Sequence, residues 1–183
     1  MLRRKGKSHG AKETRGKYSK GKSIRKRGKS VYSRQEAGHR EADTAVSGQG
    51  KSKACFAALA ERKTRFYIAV KIPGRKAEAM ETAIVAARSA FPSRLVKTIT
   101  RDWGAEFDNW LQIEERLHCE VYFADPSCAW QKSANENLNG LLREFYPRGR
   151  NLSRVAPATL KRDLALLNAR PRKVLNFYSA HLW

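Results

Sequence analysis

The chain has 183 residues, 41% of them hydrophobic, and carries a formal net charge of +21 from 38 Lys and Arg against 17 Asp and Glu. That length supports one domain-sized core, and a charge of that size selects a polyanionic partner, nucleic acid first. No apolar run suits a secretion leader or a membrane span, and Cys55, Cys119 and Cys128 lack metal-ligand spacing, so they read as reduced packing residues in a cytoplasmic protein.

In chain order, residues 1–34 come first, with 14 Lys and Arg against the single acid Glu13. They predict a basic tail that stays disordered until it meets phosphates, followed by a folded core over 35–183. Gly16-Lys-Tyr-Ser-Lys-Gly21-Lys22-Ser23 fits the phosphate-loop pattern, but no buried strand precedes it and no helix follows, so an NTPase is rejected.

Strands are then expected at Glu41–Val46, Ala54–Ala60 and Phe66–Ile72, an antiparallel meander that Pro73-Gly74 ends. Ala77, Met80, Ile84, Ala87 and Phe91 recur at helical spacing up to Pro92. A strand over Val96–Thr100 leads to Asp102, a helix around Trp110, Ile113 and Leu117 follows, and Val121–Ala124 reads as a short buried strand. Leu138, Leu141, Leu142 and Phe145 form the core stripe of the next helix, which turns Glu136, Asn139, Gly140 and Arg143 to the opposite side. A last helix through Leu160, Leu164 and Leu167 runs to Arg170-Pro-Arg-Lys173. The order gives an α/β, ribonuclease-H-like fold with a mixed five-stranded sheet, three antiparallel strands and then parallel ones, flanked by helices.

Acids are scarce here, so their placement is informative. Asp102 at a strand end and Glu136 at a helix start have 33 residues between them, and Asp43 lies in the first strand, an arrangement suited to holding hard divalent cations in a phosphate-attracting protein. Each has a structural alternative. Ser133-Ala-Asn-Glu136 is also a capping-box pattern, Asp102 before Trp103-Gly104 also suits a turn, and Asp43 also suits a solvent-facing strand position. Glu41, two residues from Asp43 and on the same sheet face, reads as a salt-bridge partner; Glu106 and Asp108 read as the start or cap of the next helix. His39 reads as structural or DNA-contacting, and Trp103 and Trp130 as packing aromatics rather than base-stacking ones.

The strings Gly38-His-Arg-Glu-Ala-Asp43-Thr, Gly50-Lys-Ser-Lys, Glu61-Arg-Lys-Thr-Arg-Phe66, Asp102-Trp-Gly-Ala-Glu-Phe107, Val121-Tyr-Phe-Ala-Asp-Pro126, Trp130-Gln-Lys-Ser-Ala-Asn-Glu-Asn-Leu-Asn-Gly-Leu-Leu-Arg143 and Asn168-Ala-Arg-Pro-Arg-Lys173 together resemble the IS30-type DDE transposases, in that family's order across nearly the whole chain. Two positions depart from its pattern: Arg40 stands where a Trp is usual, and Trp103 where an Asn is usual. The resemblance is to the integrase-like catalytic domain without the helix-turn-helix region that the family carries ahead of it.

That resemblance implies a transposase acting on transposon ends and target DNA. Asp43, Asp102 and Glu136 would be both catalytic residues and ligands of two Mg²⁺ ions, for which Mn²⁺ can substitute. Strand cleavage and strand transfer would take place in homo-oligomeric, nucleoid-associated complexes. Arg62, Lys63, Arg65, Lys132, Arg143, Arg170, Arg172 and Lys173 are the expected phosphate contacts. Two other readings are a catalytically inactive DNA-binding remnant and, on charge alone, a basic RNA-binding structural protein.

Overall fold

A computed structural model describes residues 21–182 other than 49, 89–90 and 93–94. The meander forms as expected. Strands β2 (His39–Val46), β3 (Cys55–Glu61) and β4 (Tyr67–Ile72) pair antiparallel, with Asp43 opposite Ala58 and Ala58 opposite Ala69. Strand β5 (Thr98–Arg101) lies parallel to β2, and β6 (Glu120–Phe123) parallel to β5.

Among the described residues the sheet has six strands rather than five, because the segment read as tail contributes one. Strand β1 (Lys22–Ser23) pairs parallel with β6, and a short helix, α1 (Lys29–Ser33), follows a 3₁₀ turn. The sheet order is therefore β1-β6-β5-β2-β3-β4. Ile24 and Val31 anchor this segment in the interior, and the Arg27 guanidinium donates to Thr100 Oγ1 at 2.7 Å while lying over the Tyr32 ring. Composition hid this contribution, since two apolar anchors among many basic residues suffice once an open sheet edge supplies backbone partners. A side chain at Gly21 would run into the Phe123 ring, so only glycine fits there as the chain enters β1. The expected tail over residues 1–20 lies outside the described residues.

Both faces of the sheet are covered, which is why β3 is buried along its whole length. Cys55, Ala57 and Leu59 face helices α2 (Ala77–Arg88) and α3 (Trp110–Leu117) through Met80, Ile84, Ile113 and Leu117. The alternate residues Phe56, Ala58 and Ala60 face α4 (Ser133–Phe145) and α5 (Pro157–Ala169) through Leu138, Leu142, Leu160 and Leu167. The strand period of two sorts one sequence into two cores. Phe91 lies beyond the end of α2, where its N–H donates to the Arg88 carbonyl. The architecture is the mixed α/β sandwich of the ribonuclease-H-like order.

Edge strand β4 is closed by a side chain. The Asn168 amide accepts from the Tyr67 N–H at 2.9 Å and donates to the Tyr67 carbonyl at 2.8 Å, as a neighbouring strand would. This gives the Asn168 string near the C-terminus a structural reason.

Candidate active site

Strand β2 runs beneath α4, and their residues meet in register. Two strand residues span about 6.6 Å and four helical residues about 6 Å, so Glu41 and Asp43 fall opposite Asn135 and Asn139. Glu41 is fully buried; its carboxylate accepts from Arg62 at 2.6 Å and from the Asn135 N–H at 2.9 Å, while the Asn135 side chain donates to the Glu41 carbonyl at 3.0 Å. Glu41 is thus the salt-bridge partner expected. It also satisfies a free N–H in the first turn of α4, that of Asn135. Ser133 lies inside the helix, its hydroxyl accepts from Arg34, and the α4 N-cap residue Lys132 offers no capping side chain.

Two residues further along, Asp43 emerges into a cleft of about 1320 Å³. Its Oδ2 accepts from the Asn139 amide at 3.0 Å. The buried Tyr67 hydroxyl donates to Asn139 Oδ1 at 2.5 Å, which fixes the orientation of that amide. Burial pushes the Tyr67 phenol far above its ordinary value, so it remains a donor.

Asp102 follows directly on β5, and its carboxylate meets Asp43 through one cation. The Lys132 ammonium lies 2.9 Å from Asp102 Oδ2 and 3.5 Å from Asp43 Oδ1. Burial raises the Asp43 carboxyl, and Lys132 offsets only part of that rise. Burial acts to lower Lys132, but the two carboxylates outweigh it and hold the ammonium above the usual lysine value.

Glu136 is exposed on the wall of the same cleft, beside Asn139, Gly140 and Arg143. A side chain at Gly140 would meet open space, so the helix presents bare backbone there. Among the described residues, no three His, Cys, Asp or Glu side chains come together as a metal-holding group. The three expected acids therefore share a cleft, two of them sharing a counter-ion, without forming a tight triad.

The opposite wall rests on aromatic rings. Trp103 stacks on Phe123 at 4.2 Å, Trp110 meets it edge-on at 5.6 Å, and the Arg101 guanidinium lies 3.8 Å from its centroid. Burial works against the charge on Arg101, pushing it down to about 9 while Asp102 opposes the shift, so it stays cationic at neutral pH. Glu106, which accepts from Thr44 at 3.2 Å, and Asp108 both line this wall; they lie in and at the end of the 3₁₀ turn Ala105–Phe107 that leads into α3, whose own N-cap residue is Asn109.

The expected phosphate contacts divide. Lys132 and Arg143 line the cleft, joined by Arg75 and Arg148, two basic residues in turns that no strand or helix period singles out. Arg62 and Arg65 are buried rather than exposed in their turn, Arg62 as the partner of Glu41, and Lys63 is half-buried. Arg170 pairs with Glu144 at 2.6 Å, Arg172 donates to the Leu167 carbonyl, and Lys173 is exposed. His39 is structural, placed between Thr98 and Glu36. Trp130 departs from the packing role expected of it: it is 69% exposed, next in sequence to the cleft-lining Ala129. Cys55 and Cys119 are buried thiols, pushed up to about 11 and about 12 by burial, and Cys128 lies at the cleft.

No family model matches the chain. The transposase InsI for insertion sequence element IS30A of Escherichia coli K12 is 35% identical over 176 residues, 95% of this chain and 45% of that protein. The transposase for insertion sequence element IS1086 of Cupriavidus metallidurans is 34% identical over 157 residues, 86% of this chain and 46% of that one.

Over nearly its whole length the chain is similar to IS30-type transposases.

A putative integrase, ORF3 of Spiroplasma virus SpV1-R8A2 B, is 28% identical over 180 residues, 97% of the chain and 53% of its own length. The chain spans about half the length of the curated relatives it matches. In this chain both departures from the usual IS30-type pattern are absorbed by packing. Arg40 is buried with its guanidinium 4.4 Å from the Phe91 ring centroid, so its stem and planar head occupy an apolar site. Trp103 packs on Phe123 at the cleft wall. Among the described residues, no helix is long and apolar enough to cross a membrane.

Proposed function

We propose that this chain is a catalytic domain that cleaves and joins DNA strands at transposon ends, with Asp43, Asp102 and Glu136 as its acidic residues. The observation that carries this reading is the pair of carboxylates at neighbouring strand positions, gathered on one cation at the floor of a cleft walled by Glu136.

The donor set fits a hard divalent cation. Carboxylate oxygens are the ligands Mg²⁺ and Mn²⁺ prefer, and the Lys132 ammonium is a stand-in positive charge between two of them. Asp43, Asp102 and Glu136 would hold the ions. When bound, they would supply a nucleophile of lowered pKa and charge stabilisation at the leaving oxygen.

The remaining roles belong to the protein's own groups. Asn139, held by Tyr67, keeps one Asp43 oxygen occupied and aims the other into the cleft. Arg75, Arg143 and Arg148 neutralise and position backbone phosphates along the walls. Gly140 lets the DNA backbone approach α4 closely, and Trp130, next in sequence to the cleft-lining Ala129, offers an exposed ring to an unstacked base. Work at both transposon ends and a target implies more than one copy on DNA.

The test is a nicking and strand-transfer assay on transposon-end duplexes with Mg²⁺ or Mn²⁺. Metal-dependent cleavage by the parent chain, lost in Asp102→Asn while the protein still binds DNA, supports the reading. Equal DNA binding with no cleavage in either protein assigns the chain to the DNA-binding remnant class, and a preference for RNA in competition overturns the DNA reading.

A further inference from the structure

We propose that the Lys132 ammonium is an exchangeable counter-ion that stands at the cation position between Asp43 and Asp102 and has to be displaced before a divalent ion binds there. This rests on the metal-site reading of those carboxylates given above.

The side chain is placed for such exchange. Its ammonium contacts both carboxylates, at 2.9 and 3.5 Å, and the residue is only 9% exposed. Two like-charged carboxylates brought together at a cleft floor repel one another, and one cation between them removes that repulsion. A lysine is suited to a temporary role. Its charge is a compact point carried on four flexible methylenes, with three donors and no fixed fork to lose when it withdraws.

The anchor of the side chain is rigid even though its end is not. Lys132 is the N-cap residue of α4, and the loop before it is clamped by Gln131, whose amide accepts from the Asp125 N–H at 2.7 Å and donates to the Asp125 carboxylate at 3.2 Å. The ammonium can therefore leave without moving the backbone. Asp102 is half-exposed to a cleft of about 1320 Å³, which leaves a path for an incoming ion and room for the displaced head. An ammonium and a divalent cation cannot share the same two oxygens without strong like-charge repulsion, so the two compete. A permanent brace would behave in the opposite way: its removal would disorder the pair and weaken metal binding.

The measurement is calorimetric titration of Mn²⁺ into the 183-residue chain without DNA, with thermal melts at each metal concentration. Lys132→Met is expected to bind Mn²⁺ at least about tenfold more tightly than the parent, since the lost contact is a charge-assisted bond between ions. Lys132→Arg keeps the charge and is expected to bind no more tightly than the parent. Asp43→Asn is expected to abolish the event in both backgrounds. Added Mn²⁺ should raise the melting temperature more in Lys132→Met than in the parent, by linkage to the tighter site. Should Lys132→Met lack a cooperative melt, Lys132→Gln carries the same expectation.

Mn²⁺ affinity that is equal or lower in Lys132→Met and Lys132→Gln, yet still lost in Asp43→Asn, overturns the exchange and leaves the metal site standing. Binding indifferent to Asp43→Asn, or absent from every variant, overturns the metal-site reading and the exchange with it.

Discussion

Glu41 and Asp43 sit two residues apart on the same face of β2, beneath the same helix, and the protein uses them in opposite ways. Glu41 is sealed: Arg62, the Asn135 N–H and a fully buried position leave it no contact with solvent. Asp43 keeps one oxygen on Asn139 and turns the other toward Lys132 and the open cleft. The difference lies in the partners. A carboxylate given a fixed guanidinium and a helix N–H becomes part of the framework, whereas one given a flexible ammonium at a cleft floor stays available for chemistry. Strand position alone does not separate them.

The sharpest way to break this contrast is activity. Asp43→Asn, Asp102→Asn or Glu136→Gln should each lower metal-dependent nicking by about a thousandfold or more, read in a single-turnover assay, with DNA binding in the absence of metal unchanged. Glu41→Ala should instead act on stability. It strands the buried Arg62 and a helix N–H, costing about 3–5 kcal/mol, which lowers the melting temperature by on the order of 10 °C. An Asp43 variant that proved as unstable as Glu41→Ala, with Glu41→Ala folding normally, would reverse the two roles.

Tyr67→Phe probes the link between the regions. It removes the donor that orients the Asn139 amide, so unfolding should become easier by about 1–2 kcal/mol and nicking should fall several-fold through a less well-placed Asp43. Chemical denaturation and initial rates on one preparation check both halves.

A smaller effect is expected from pH. Burial raises the Asp43 carboxyl, so at pH between the ordinary carboxylate value and the raised one the native state holds a proton that the unfolded chain has released. The contribution of Asp43 to stability is therefore greatest below the ordinary carboxylate value and is lost as pH rises through the raised folded value. Asp43→Asn should remove that part of the slope in a pH series of denaturant melts. Least of all should change in Arg170→Ala, whose partly exposed pair with Glu144 contributes less than about 1 kcal/mol to the same melts.

Much of this was legible in the chain. The apolar run over Ala54–Ala60, the helical recurrence of Met80 and Ile84, and the stripe of Leu138 and Leu142 announced the strands and helices, because covering a core imposes such patterns on the sequence. The same stripe placed Glu136, Gly140 and Arg143 on the open side of α4. Illegible was anything depending on a distant partner. Arg62 and Arg65 look like exposed turn cations until Glu41 and the packed interior are seen around them. Lys132 looks like a phosphate contact until two strand ends arrive beside it, and Lys22–Ser33 looks like tail until β6 offers an edge.

By itself, the sequence determined the order and type of the elements from β2 onward and the candidate acids, since these follow from hydrophobic period, turn chemistry and the scarcity of negative charge. Tertiary structure alone decided which charges are framework and which face the cleft. Burial and partner distance set the state of a carboxylate or a guanidinium, and both are properties of residues brought together from remote parts of the chain, as Lys132 is brought to Asp43 and Asn139 to Tyr67.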